Sequence, residues 1–211
     1  MVKIVVFGAT GRVGRKLVAG GIARGHEVTA AARHPERMRV LTGAPRLVVC
    51  DVMDARQVAA AAARQDAVLV ATRARLGLAP GHLHTRGMAN VIAAMQDSAV
   101  RRLVCLSAAG THDDADPNLP LLFTRVVRPL FLAPTWRELR EMEALVERSG
   151  LDWTVVHVAR LTNGPALGVY RVGAGHSIPE GSSIARADVA DFMLKELVRG
   201  EWVRRHVAVA Y

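Results

Sequence analysis

Three glycines spaced three apart, Gly8, Gly11 and Gly14, are the strongest chemical signal in this chain of 211 residues. They follow a run, Val2 to Phe7, in which five of six residues are apolar, and they lead into Arg12–Ala23, where Val13, Leu17 and Val18 recur on one helical face. Glycine serves three purposes in such a turn: it bends the chain sharply, leaves bare backbone for a pyrophosphate, and lets helix and strand cross closely. The helix start adds unpaired N–H groups and a partial positive charge. Gly8, Thr10, Gly11, Arg12, Val13 and Gly14 are therefore read as the phosphate-binding turn of a dinucleotide site, with a tight turn that binds nothing as the plainer alternative.

Other residues with chemistry follow in order. A second strand, Glu27–Ala32, ends at Arg33, with Arg37 and Arg39 close behind. In a dinucleotide fold this position faces the adenosine ribose, where an acid binds a free 2′-OH and an arginine accommodates a 2′-phosphate. Arg33 in place of an acid predicts NADP(H) over NAD(H); the alternative is a pair of surface charges at a short helix started by Pro35. Asp51 follows a third strand, Leu47–Cys50, and stands near the start of a helix over 54–64 that it could cap. A fourth strand, Asp66–Ala71, ends in Thr72 and Arg73, so Ala71, Thr72 and Arg73 should face the cofactor's pyrophosphate and ribose from the carboxyl end of the sheet.

A fifth strand, Arg102–Leu106, delivers Ser107 at its carboxyl end, and a sixth, Asp152–Val158, carries His157 among apolar neighbours, where a satisfied core histidine is the favoured reading. Cys50 and Cys105 each close an apolar run and read as buried small hydrophobes; no disulfide and no metal site is expected. Asn90 reads as a structural hydrogen-bonder.

The elements that must position these groups alternate strand and helix along the chain, which predicts an α/β fold: a doubly wound parallel sheet in one Rossmann-type domain over 1–211 with a small C-terminal substrate-side extension. Leu83, Gly87, Val91 and Met95 give one helix its inner stripe, Trp136–Ser149 forms another closed by Gly150, and SIARADVADFML opens the last, with Asp188 in its first turn. Short strands are expected at 177–179 and 206–210. Segments 111–135 and 159–185 are the candidate substrate-side parts. The greasy stretch 117–135 is either a flap or an oligomer contact, and Arg125 and Arg160 are tentative substrate contacts, each otherwise a surface arginine.

Composition agrees with a globular domain, at 51% hydrophobic and 22% charged residues. The net charge of +9 comes from 28 Lys and Arg that are scattered rather than blocked, and aromatics are only 4%, so neither a nucleic-acid partner nor a membrane is expected. No run is long enough to span a bilayer, and the cysteine usage fits a cytoplasmic protein.

The segment GATGRVG resembles the fingerprint of the atypical short-chain dehydrogenase/reductases, a group that includes NmrA-like regulators, quinone reductases and the biliverdin-IXβ/flavin reductases. RRLVCLSAAG, GMANVIAAM, SGLDWTVVHVARLTNGP and GAGHSIPEGSSIARADVADFML are similar to later segments of the same group. The resemblance implies that Asp51 and Val52 lie along the adenine and that Ser107, the one catalytic candidate, sits beside the nicotinamide. Two departures matter. The tyrosine and lysine that work with this serine in the orthodox branch are missing, since neither Tyr170 nor Tyr211 has a lysine four residues on. Where the group's sixth strand carries an arginine and a proline, this chain has His157 and Val158. A lone serine is too weak an acid to protonate an alkoxide near neutral pH, so Ser107 is expected to orient nicotinamide or substrate while solvent supplies the proton. The expected function is an NADP(H)-dependent reductase acting on a flat conjugated acceptor such as a flavin or quinone. A cofactor-sensing regulator of the NmrA-like type, or a biosynthetic isomerase or cyclase on the same scaffold, are the alternatives, and the oligomeric state is open.

Overall fold

The computed structural model describes residues 1–38, 45–72, 82–109, 111 and 133–211. The apolar run after the N-terminus forms β1 (Lys3–Phe7), whose Ile4, Val5, Val6 and Phe7 are wholly buried. Both faces of this strand are covered, which is why its sequence shows no alternation. Ile4 and Val6 join a core with Leu17 and Val18 of α1 (Arg12–Ala23) and with Val189 and Met193 of α5 (Arg186–Arg199). Val5 and Phe7 face the opposite core, built with α2 (Ala55–Ala62), α3 (Leu83–Asp97) and α4 (Ala133–Glu147).

The remaining strands are β2 (Glu27–Ala32), β3 (Arg46–Val49), β4 (Ala67–Val70), β5 (Arg102–Ala108), β6 (Asp152–Val158), β7 (Arg160–Thr162), β8 (Arg171–Ala174), β9 (Ser183–Ala185) and β10 (Arg205–Ala210). Eight of them form one sheet in the order β3-β2-β1-β4-β5-β6-β10-β8, all parallel except the antiparallel edge strand β8. This is the doubly wound α/β architecture expected from the alternation of elements. Strand order reverses between β1 and β4, which pair in register from Ile4 with Ala67 to Phe7 with Val70. The carboxyl ends of these two strands therefore open a crevice at the switch point.

Two expectations need correction. No strand forms at 177–179: Ile178 to Gly181 is instead a turn closed by a Gly181 N–H to Ile178 carbonyl bond of 2.9 Å, with Glu180 at φ 61°. Pro179 cannot donate to a ladder, and the local backbone bond replaces pairing. Likewise Ser183–Ala185 does not open the last helix but forms β9, which pairs in parallel with β7 as a separate small sheet. These two short strands, with β8, make up the small C-terminal extension.

Two glycines in the sheet's switch region leave no room for a side chain. Gly8 has φ +79°, and a Cβ there would lie 2.6 Å from the Ala71 carbonyl oxygen. A Cβ on Gly14 would lie 2.2 Å from the Gly8 carbonyl oxygen. Because both obstacles are backbone, neither can rotate away. Gly14→Ala is expected to lower unfolding stability by about 3 kcal/mol, at the upper end of an overpacking penalty, and urea denaturation followed by circular dichroism would measure it.

Candidate functional site

At the carboxyl ends of β1, β2 and β4 lies a cleft of about 200 Å³. Its floor is the glycine turn, with Gly8, Thr10 and Gly11, faced by Ala71 and Thr72 beyond β4. Gly11 is the N-cap of α1 and contributes no side-chain cap, so the helix start is left to backbone groups. One wall carries Ala32, Arg33, His34 and Arg37, and the other Cys50, Asp51, Val52 and Leu83. The bare cradle at Gly8 and Gly11, where a Cβ would press on Ala71 and Gly8 backbone atoms, fits a pyrophosphate lying against a helix N-terminus.

Of the residues proposed from sequence to hold a cofactor, Gly8, Thr10, Gly11, Arg33, Asp51, Val52, Ala71 and Thr72 all line this cleft. Val13 and Gly14 are buried beneath it in the first turn of α1. Arg12 instead lines a neighbouring hollow of about 440 Å³ with Arg15, Lys16, Asn163 and Arg186. Arg73 and Arg125 lie outside the described residues, as does 112–132 of the candidate flap. Arg160 is exposed at the start of β7.

Arg15, which sequence reasoning passed over, braces the site. Its Nε donates to the Thr10 carbonyl at 3.1 Å and its Nη2 to the Arg37 carbonyl at 2.6 Å. One side chain thus ties the glycine turn to the short 3₁₀ turn Pro35–Arg37. Asp51 accepts the Met53 N–H at 3.0 Å, whereas the cap of α2 is Asp54, which accepts the N–H groups of Arg56 at 2.9 Å and Gln57 at 3.1 Å. Asn90 donates to the Val52 carbonyl at 2.9 Å and holds the wall that carries Asp51 and Val52. Both cysteines are buried thiols, and burial pushes Cys50 up to about 11.

Ser107 lies two residues past the Val70–Cys105 pair at the end of β5, level with Thr72. It is buried, and its hydroxyl donates to Oε1 of Glu143 on α4. Glu143 is wholly buried; burial pushes its carboxyl up to about 7, against the pull of the Ser107 hydrogen bond. The signal for Glu143 was an acid on an apolar helical stripe, beside Leu139, Met142 and Val146. Behind Glu143, His157 is fully buried and contacts His206. His157 is a hydrogen-bonded core histidine, but it has polar company that no local pattern indicated.

The two tyrosines are structural. Tyr170 donates to Asp191 at 2.6 Å, and burial first, then that carboxylate, raises its phenol well above the ordinary range. Tyr211 donates to Asp188 at 2.5 Å. Asp188, expected to serve as a first-turn charge, is fully buried and also accepts the Leu167 N–H at 2.9 Å and the Gly168 N–H at 3.0 Å. It fastens the segment around Leu167 and Gly168 to α5.

Fold and cleft together define a dinucleotide-binding protein of the doubly wound class. The chain belongs to the NAD(P)H-binding family, whose model matches residues 8–199. It is 34% identical over 189 residues to a 3-diazoavenalumate denitrifying reductase from a Streptomyces species, covering 81% of this chain and 60% of that protein. It is 28% identical over 207 residues to the protein YwnB of Bacillus subtilis, covering 94% of this chain and 93% of that one. A wide-type short-chain dehydrogenase/reductase from Veillonella parvula, solved in complex with NADP, superposes with a TM-score of 0.81 at 18% identity over all of this chain and 95% of its own. The NAD(P)-binding Rossmann character suggested by the fingerprint therefore holds. No described helix is long and apolar enough to cross a membrane.

Removing the Asp188 carboxylate leaves two N–H groups and a phenol without their acceptor. Asp188→Ala is expected to destabilise the protein by about 2–3 kcal/mol, the range for hydrogen bonds to a charged group. Limited proteolysis should then cut first between Gly164 and Tyr170.

Proposed function

We propose that this protein is an NADP(H)-dependent reductase that passes hydride to a flat conjugated acceptor such as a flavin, a quinone or a related aromatic. The observation that carries the cofactor preference is the rim of the cleft beyond β2. There Ala32 is followed by exposed Arg33, with Arg37 on the same wall. A guanidinium pairs with a 2′-phosphate through charge-assisted bonds that a ribose hydroxyl cannot match. An NADP complex of the Veillonella neighbour is consistent with this preference.

When bound, the nicotinamide supplies the hydride, and the protein's task is to bind, orient and exclude water. Ser107 commits its proton to Glu143, so its oxygen offers lone pairs to an N–H donor placed against it. That is an orienting role, and it agrees with a site in which neither tyrosine is placed to give up a proton. An acceptor whose reduced form spreads its negative charge over a conjugated system can take its proton from solvent. The Streptomyces relative bears the name of a reductase acting on a diazo compound, which adds that class to the acceptors worth testing. Arg160 and Arg125 are proposed as contacts for an anionic substituent.

The test is NADPH oxidation against FMN, several quinones, biliverdin and a diazo compound, with NADH beside it. Turnover should favour NADPH by about tenfold or more, and Arg33→Glu should erase or reverse the preference, as loss of a charge-assisted hydrogen bond implies. Tight NADPH binding with no oxidation by any acceptor would overturn the reductase reading in favour of a cofactor-sensing regulator.

A further inference from the structure

Behind Ser107, on the face of the sheet away from α1 and α5, four side chains converge from distant parts of the chain. Glu143 comes from α4, His157 from β6, His206 from β10, and His176 from the loop after β8. Each offers one ligand atom, and the four atoms all lie within 4.8 Å of one another. Gly175 N–H donates to the His206 carbonyl at 2.9 Å and so anchors the loop that carries His176.

The hydrogen bonds on the outer side of the rings decide what the inner side presents. His157 Nδ1 is 3.3 Å from the Ala108 carbonyl, which can only accept, so the ring's proton belongs on Nδ1. His206 Nε2 is 2.8 Å from Glu147 Oε1, a carboxylate, so that ring's proton belongs on Nε2. With the outer nitrogens so engaged, His157 Nε2 and His206 Nδ1 face each other across 3.1 Å. Glu143 Oε2 faces the same space, 3.8 Å from His157 Nε2 and 3.9 Å from His206 Nδ1. Three potential ligand atoms thus face one point.

The dimensions suit a metal ion. A point equidistant from these three atoms lies about 2.1 Å from each, the length of a zinc bond to imidazole nitrogen or carboxylate oxygen. The ring centroids of the three histidines are separated by 4.7, 5.0 and 5.3 Å. Three imidazoles on one tetrahedral ion place their centroids roughly 5 Å apart. The outer partners, a backbone carbonyl on one ring and a carboxylate on another, are those that usually orient histidine ligands. Imidazole nitrogen with one carboxylate oxygen is a donor set for borderline divalent ions.

We propose that Glu143, His157, His176 and His206 form a structural zinc site. Four protein ligands leave no open position for chemistry. The ion's work is to pin α4 and the loop after β8 to β6 and β10, and to hold Glu143 as the anionic acceptor of the Ser107 hydroxyl. Metal binding is read without turnover, so this inference stands or falls apart from the reductase reading.

The experiment uses the full chain without a polyhistidine tag, stripped with chelator and titrated with Co²⁺ and then Zn²⁺. One cobalt per chain should bind with the intense visible bands of a four-coordinate ion, and zinc should bleach them. His176→Ala, on the loop and away from the core, should weaken zinc binding by about tenfold or more, and His157→Asn should abolish it. Both variants are checked by circular dichroism and NADPH binding; if His157→Asn does not fold, His176→Ala decides. Only trace metal after loading, or binding unchanged in His176→Ala, would overturn the site and leave a proton shared between His157 and His206.

Discussion

Three stretches of backbone meet at one point in this protein: the turn after β1, the first turn of α1 and the residues following β4. Gly14 lies against the Gly8 carbonyl and Gly8 lies against the Ala71 carbonyl, both inside the radius of a methyl group. That contact sets the distance from α1 to the sheet and brings the carboxyl ends of β1 and β4 side by side. It also leaves the glycine turn bare of side chains where it lines the cleft. The cleft, the rim carrying Arg33 and the level at which Ser107 emerges all inherit their positions from it.

Around this point the chain distributes its buried polar groups unevenly. On the α1 and α5 side they are few and strongly paired, as with Arg102, which donates to Glu196 Oε1 at 2.8 Å while Thr154 contacts the same carboxylate at 3.2 Å. Such a pair holds β5 and β6 to α5, and breaking it would strand a charge in the core. On the α4 side they form a continuous line from Ser107 through Glu143 and His157 to His206 and the half-exposed Glu147. The residue that the resemblance places beside the nicotinamide is therefore backed by polar side chains, not by the apolar packing seen elsewhere on β5.

Among the described residues that line the cleft, no tyrosine or lysine stands in for the missing pair. Both tyrosines are spent on Asp188 and Asp191, tying down the C-terminal extension. A scaffold that keeps its nucleotide site and employs its phenols structurally is suited to reactions in which the cofactor does the chemical work. The family match over residues 8–199 covers the nucleotide-binding core and most of this extension, so the two parts belong to one inherited unit.

The residues near the N-terminus announced their own geometry because the information is local. GATGRVG between an apolar run and an amphipathic stretch predicts strand, turn and helix from contacts within a dozen residues, and the structure shows β1, the turn and α1 at those positions. Arg33 was readable for the same reason, as the residue that ends the second strand of a fold already identified. The strand expected at 177–179 gives way to a turn because Pro179 cannot donate to a ladder and a local backbone bond replaces pairing. Ser107 with Glu143, and His157 with His176 and His206, were illegible as groups. Their members are separated by 19 to 49 residues in the chain and meet only because β5, β6 and β10 are neighbours in the sheet while α4 packs across them. Sequence determined the nucleotide turn, since steric demands on glycine act within a few residues. The tertiary structure alone decided the polar cluster behind Ser107, because sheet order and helix packing, not spacing along the chain, set which side chains share a space.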